Sequence, residues 1–519
     1  MTETKMNGAE SLVHTLLANG VDTCFTNPGT SEMHFVAALD HIAGMRSVLV
    51  LQEGVATGAA DGYYRMACKP ASTLLHLGPG LANGLSNLHN AKKAGSGVVN
   101  IIGEHASTHI ELDAPLTSDI EGIARPVSHW VHSSKSAADV GKDAVSAIQA
   151  AMVAPGQIAS LILPSDTAWN GGGVAQEAAE MPAPAPFDAA QLETAATALG
   201  GEETLLLLGG RALTENNLKI AGQIAAKIGC KLLSEWSNAR LERGAGRVFV
   251  NRVPYPIDIA LKVLEPFKRI VLVGARAPIG FFAYPDKPAI LTRDGAQITT
   301  LAHSSADLTA ALEALRDATG AEDTAPAHVV EASMPDRPTG PINLDTLAAV
   351  IARAIPEQAI VVDESVTTGR AFSPATKGAP AHTWLNNCGG SIGYAMPAAI
   401  GAAIACPDRK VMCMSGDGSA MYTVQSLWTM ARENLDITVL IFANRSYQIL
   451  RGELTNVGVG NPGPRAIDML SLDRPALDWV QMARSMGVEA QRVETCEALE
   501  AALEDGLTGG GPNLIEITL

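Results

Sequence analysis

The chain has 519 residues, 47% of them apolar, and a formal net charge of −17. That length exceeds what one hydrophobic core supports and calls for about three domains. The negative charge argues against nucleic acid or an anionic membrane surface as partner, because both repel an acidic exterior.

Seven cysteines (Cys24, Cys68, Cys230, Cys388, Cys406, Cys413, Cys496) include no CxxC pair, and their odd number argues against a disulfide framework. No basic-then-apolar leader opens the chain, and no apolar run is long enough to span a bilayer. A reduced, cytoplasmic location is the expectation.

In chain order, a helix is expected over residues 9–18, then a strand over 23–25 and the turn Asn27-Pro28-Gly29-Thr30. A strand over 47–51 leads to Glu53 and a Gly/Ala-rich helix over 54–66. A carboxylate there is either a first-turn Glu favoured by the helix dipole or a buried catalytic acid. His76 ends a strand over 72–75, before Leu77-Gly78-Pro79-Gly80. Its two readings are a polar core niche and proton transfer. Nine of the twelve histidines, among them His89, His105, His109, His129 and His132, fall in the first 132 residues. None has metal-ligand spacing with Cys or carboxylates, so no zinc is assigned.

Two aperiodic stretches rich in Pro, Gly, Ala or charge, 171–186 and 322–341, read as linkers. They divide the chain into α/β domains over residues 1–170, 187–322 and 342–519. In the middle one, strands over 204–208 and 269–273 flank a helix over 218–228. Their ends, Gly209-Gly210 and Gly274, resemble dinucleotide-binding turns but complete no GxGxxG. FAD is therefore possible and not favoured, and a nicotinamide dehydrogenase lacks its fingerprint.

The third domain carries the densest signal. An apolar strand over 411–414 ends at Ser415-Gly416-Asp417-Gly418, a helical pattern follows over 421–433, and a second strand over 437–442 ends at Asn444. Strand, helix, strand is a right-handed βαβ unit. It places Asp417 and Asn444 at the carboxyl ends of parallel strands, where open α/β sheets bind ligands. Both offer the hard oxygens that Mg²⁺ takes. Gly416 and Gly418 permit close backbone approach, and Ser419 is expected to cap a helix whose N-terminus attracts phosphate. The bland alternative is an ordinary Asp-Gly turn.

This stretch resembles the diphosphate-binding motif of thiamine diphosphate enzymes, with Ala443-Asn444 in place of the family's Asn-Asn. The resemblance runs along nearly the whole chain, to the branch of acetolactate synthases and benzoylformate decarboxylase. It implies three doubly wound parallel-sheet domains: pyrimidine-binding, central and diphosphate-binding. Mg²⁺ would be held by Asp417, Asn444 and the Ser446 carbonyl, with Tyr447 beside the cofactor. Glu53, in QEGVATGAADGY, would bond the aminopyrimidine N1′. Ile392, in CGGSIGY, would bend the cofactor, the Gly390 carbonyl would accept from its 4′-amino group, and Thr367, in ESVT, would hold the diphosphate. His76 and Thr30 match the decarboxylase's first catalytic His and its carboxylate-orienting Ser.

The match fails at the second catalytic His, where this chain has Phe281-Phe282-Ala283-Tyr284, with Phe282 nearest. A phenyl ring relays no proton, so capture by a second carbonyl compound is expected over simple aldehyde release. The substrate implied is a 2-oxo acid, and the assembly a homodimer or homotetramer with active sites at subunit interfaces. Aldehyde release and a non-catalytic cofactor-binding subunit are the alternatives, and the retained Glu53 argues against the second. The Gly/Pro-rich tract over 452–464 reads as a lid loop or an ordinary surface loop.

Overall fold

A computed structural model describes residues 5–519. The first sheet contains β1 (Thr23–Thr26), β2 (Arg46–Leu49), β3 (Ala71–Leu75), β4 (Val98–Glu104), β5 (Trp130–Ser133) and β6 (Ile158–Pro164). All run parallel, in the order β2-β1-β3-β4-β6-β5. β3, β4 and β6 are buried along their whole length, as expected of parallel strands covered by helices on both faces.

The central stretch supplies β7 (Thr204–Leu208), β8 (Lys231–Ser234), β9 (Leu241–Arg243), β10 (Asn251–Arg252), β11 (Arg269–Val273) and β12 (Gln297–Ala302). Five of these form a parallel sheet in the order β10-β8-β7-β11-β12, and β9 leaves it. The third sheet adds β13 (Ile360–Glu364), β14 (His382–Asn386), β15 (Val411–Gly416), β16 (Ile437–Ala443), β17 (Glu489–Val493) and β18 (Asn513–Thr518). Its order is β17-β18-β16-β15-β13-β14-β9. β9 pairs antiparallel with β14, so the third sheet is not wholly parallel as expected. Edge positions of parallel sheets accept such a strand readily.

Numbered within their own domains, the first and third sheets have the same strand order, 2-1-3-4-6-5. Each chain direction reverses beside its first strand, between β1 and β3 and between β13 and β15, where ligand crevices form in open sheets. The helix after β2, Glu53–Ala67, and the helix after β14, Ala395–Ala405, therefore occupy equivalent places. These two helices pack against each other. Small residues make that possible: a methyl group at Gly62 would overlap the Ala398 carbonyl, and one at Gly401 the Ala59 carbonyl. Beside the crossing, Asp61 and Arg65 form a buried ion pair at 2.6 Å. Arg65 also donates to the Asn386 carbonyl and to Tyr394 Oη, and Ser96 donates to Asp61. Every charge is paired and hydrogen-bonded, the condition for burying one.

Two expected elements differ. Residues 421–433 are not one helix: Asp417–Ala420 is a single turn, Met421–Thr423 a 3-10 turn, and Ser426–Arg432 a separate helix. Thr423 donates its hydroxyl to the Gly393 carbonyl at 3.0 Å, and this tertiary bond interrupts the pattern. Residues 322–341 lack regular structure but are pinned, Val330 to Arg247, Ser333 to Gly378 and Gly340 to Cys496. No described helix is long and apolar enough to cross a membrane.

Gly62→Ala should destabilise the protein by about 1–3 kcal/mol, the usual cost of overpacking a tight core contact. Urea unfolding of the variant beside the parent measures it, and an unchanged midpoint would contradict this account of the crossing.

Candidate active site

β15 delivers Asp417 to the carboxyl edge of the third sheet, where its side chain is buried. Its carboxylate accepts from the backbone N–H of Gly418 at 2.9 Å and of Arg445 at 2.7 Å. Burial pushes its pKa up, while those N–H groups pull it down. The adjacent strand β16 ends at Asn444, whose Oδ1 accepts from Ser446 N at 3.0 Å. Arg445 between them has φ +53°, a left-handed kink that turns the 444–446 backbone toward Asp417. Such strain in a non-glycine residue is a mark of functional loops.

Ser446 Oγ donates to the Leu470 carbonyl. The ring of Tyr447 packs on Gly418, where any side chain would collide with it. Above Gly416 there is open space.

Among the described residues no group of three or more His, Cys, Asp or Glu is placed to hold a metal ion. A cation here would take one carboxylate and neutral oxygens, with phosphate completing the set, which suits Mg²⁺. The residues present fit a Mg²⁺-bridged diphosphate.

Ser419 does not cap a helix. It lies inside the Asp417–Ala420 turn, whose cap position is Gly416, with no side-chain capping bond. Thr367 is half-buried at the cap of the 3-10 turn Thr368–Ala371, after Val366 with φ +48°.

The bend after β14 carries Gly390, with φ +77°, and half-buried Ile392. Asn387 shapes it, accepting from Gly389 N and Gly390 N through Oδ1 and donating to the Ser391 carbonyl. The helix Leu77–Ala94 of the first domain grips the same bend. His89 pairs with the Gly389 carbonyl at 3.0 Å and Asn90 donates to the Ser391 carbonyl at 2.8 Å. Asn87 bridges the Gly54 and Gly393 carbonyls.

Glu53 opens the helix Glu53–Ala67, buried, with its carboxylate accepting from Asn83 Nδ2 at 3.0 Å. Neither Glu53 nor Asp417 shares a hydrogen-bonded partner with the other.

His76 precedes Leu77, with φ +48°, at the switch point of the first sheet. Its Nδ1 lies 2.9 Å from Glu32 Oε2, and Glu32 is buried. That contact holds the ring and leaves Nε2 for other work. Thr30 is exposed and has no bond to His76; the hydroxyl beside His76 belongs to Ser31, 3.5 Å away and bonded to Glu32. The turn Thr30–Glu32 rotates adjacent side chains apart, so one residue of offset exchanges the two hydroxyls.

From the central stretch, Phe281 contacts Gly390 and packs on Trp236, Tyr255 and Phe282, with centroids 4.8–5.7 Å apart. Residues 452–464 are not all loop, because the helix Gln448–Asn456 includes their first part. Glu453 on that helix accepts from Tyr284 Oη at 2.7 Å and Tyr255 Oη at 3.4 Å. At the central sheet's switch point, Gly209 N donates to the Val273 carbonyl and the Glu235 carboxylate lies against Gly209.

Sequence reading missed Glu32, Asn83, Asn87 and Asn90. The asparagines repeat at helical spacing on the Leu77–Ala94 helix, and that polar stripe among small and apolar residues was the available signal.

Residues 6–124 match the family model described as thiamine pyrophosphate enzyme, N-terminal TPP binding domain. Residues 368–517 match the corresponding C-terminal TPP binding domain. The chain belongs to the thiamine pyrophosphate enzymes.

It is 49% identical over 99% of both chains to IlvX of Mycobacterium tuberculosis, whose name provisionally makes it an acetolactate synthase large subunit. It is 29% identical over 97% of both chains to benzoylformate decarboxylase of Pseudomonas aeruginosa. The solved 4-hydroxybenzoylformate decarboxylase of Rhodococcus jostii superposes with a TM-score of 0.87 over 99% of both chains. At 24% identity that likeness speaks to the fold alone.

Asp417→Ala should remove the cation dependence of cofactor binding. In thermal melts, thiamine diphosphate with Mg²⁺ should stabilise the parent protein by mass action and the variant little or not at all. Equal stabilisation of both would remove Asp417 from the cation site.

Proposed function

We propose that the protein decarboxylates a 2-oxo acid with thiamine diphosphate and Mg²⁺ and transfers the remaining acyl unit to a second carbonyl compound, as an acetolactate synthase does. The cofactor supplies the electron sink for loss of CO₂. Asp417, Asn444 and the Ser446 carbonyl hold the cation, and Thr367 with the Gly416–Ser419 turn receives the diphosphate. The Gly390 carbonyl and Ile392 orient the aminopyrimidine. Glu53 moves a proton at the pyrimidine N1′, and its burial keeps water from competing for that bond.

The observation that carries carboligation is Phe281, which the central stretch places against Gly390, next to Phe282. Phenyl rings at this position deliver no proton, so the acyl carbon awaits a carbonyl acceptor. A second reading, aldehyde release, draws on the Glu32–His76 pair, which puts one imidazole at the switch point of the first sheet. Glu53 and Asp417 belong to different sheets, and we assign them to one site built by two subunits of a cytoplasmic homodimer or homotetramer.

Purified protein given pyruvate, thiamine diphosphate and Mg²⁺ should form acetolactate or acetoin; acetaldehyde alone would support the second reading. Glu53→Gln should lower turnover by about 10²–10⁴, the usual range for a general acid or base. Mixing Glu53→Gln with Asp417→Ala chains and reassembling them should recover activity, because some mixed dimers regain one intact site. Failure to recover would place both residues in one chain's site.

A further inference from the structure

Glu364 ends β13 at the switch point of the third sheet, and only 4% of it is exposed. Its carboxylate accepts from Asn387 Nδ2 at 3.1 Å. It also accepts from the backbone N–H groups of Gly393 at 3.3 Å, Tyr394 at 3.0 Å and Ala395 at 3.2 Å. One side chain thus holds both ends of the bend 387–393: Asn387 at its start and the first turn of the Ala395–Ala405 helix at its end. Gly390 and Ile392 lie between the two grips. The Glu364 oxygens point into the protein and are filled with donors.

We propose that Glu364 is a positioning residue that shapes the 387–393 bend for the cofactor without touching the cofactor. This rests on the cofactor reading of Gly390 and Ile392 above.

The chemistry of the pocket makes the hold sensitive to protons. Burial raises the Glu364 pKa to about 7, against the pull of its N–H donors. Around it, Asp363 on the same strand is occupied by Ser365 and Trp384. Cys413 on β15 is a neutral thiol, its pKa pushed far up by burial. The Tyr394 phenol on the following helix is bonded to Arg65, and Asp61 pairs that guanidinium. Among the described residues no cation pairs with Glu364, so backbone and amide N–H groups alone favour its ionised form. Ionised, the carboxylate has a lone pair for each donor. Because the carboxyl is protonated more readily in the closed bend than free in water, the closed bend takes up a proton below pH 7 and opens less readily as pH falls through 7.

Hydrogen exchange on the full-length, cofactor-free protein tests this through a peptide covering residues 388–396. Corrected for intrinsic exchange, protection should rise about tenfold from about pH 8 to about pH 6, while the Leu344–Ala354 helix keeps its protection. Glu364→Gln should show no pH step, with protection below the parent's pH 6 value at both pH values, and bind thiamine diphosphate about tenfold more weakly, because the bend loses an acceptor oxygen and is no longer preorganised. With cofactor saturating, its kcat should fall far less than its cofactor affinity. Glu364→Asp, which keeps the charge, should restore part of the pH step. Unchanged parent protection across this pH range would overturn the proposal, as would Glu364→Gln with parental protection and affinity. If Glu364→Gln does not fold, the parent pH series decides alone. Parent protein that binds no thiamine diphosphate would defeat the cofactor reading, while the exchange data still decide whether Glu364 holds the bend.

Discussion

The backbone-to-backbone crossing of the helices Glu53–Ala67 and Ala395–Ala405 is the constraint that joins the first and third domains of one chain, each of which supplies part of a candidate site. Each helix begins at a functional segment: Glu53 is the first residue of one, and the Gly390–Gly393 bend leads into the other. Because Gly62 and Gly401 admit carbonyls where side chains would stand, the spacing between the two starts is set by peptide groups rather than by flexible side chains. The buried Asp61–Arg65–Tyr394 cluster then fixes the rotation of one helix on the other. Breaking that cluster on one side would strand a charge in the core, a cost of several kcal/mol in comparable pairs.

The shared strand order of the first and third sheets gives this crossing a further meaning. Equivalent helices meet, so the two domains face each other with their switch points disposed alike. The first sheet presents Glu32 and His76 there, and the third presents Glu364 and Asp417. One arrangement of secondary structure thereby serves two tasks. In the third domain, on our proposal, it holds a cation through carboxylate and backbone oxygens, with the diphosphate on the cation and on backbone N–H groups. In the first it arranges proton-carrying side chains. The helix Leu77–Ala94 joins the two through Asn87, His89 and Asn90, which give the glycine-rich bend partners from the other domain.

What was legible in the sequence was local. Strands such as 204–208 and 269–273 are unbroken apolar runs, and they appear with the expected bounds. The Gly416–Asp417–Gly418 turn and Asn444 lie at strand ends because strand length and glycine placement are written in neighbouring residues. Features decided by distant partners were not legible. The helix break at Met421–Thr423 depends on the Gly393 carbonyl. β9 joins the third sheet rather than the central one. Ser31, not Thr30, reaches His76, because the pitch of one 3-10 turn decides which hydroxyl faces inward. The surroundings of Glu364 depend on donors at the start of the Ala395–Ala405 helix, distant in sequence.

The reading of this chain as a working enzyme depends on a cofactor held at its phosphate end by a cation on Asp417 and at its ring end by Glu53. Titration calorimetry of thiamine diphosphate into the purified protein, with Mg²⁺ and again with the cation chelated, tests this most directly. The account predicts saturable binding with Mg²⁺ that is lost on chelation. Binding that is absent with Mg²⁺, or undiminished without it, would contradict it.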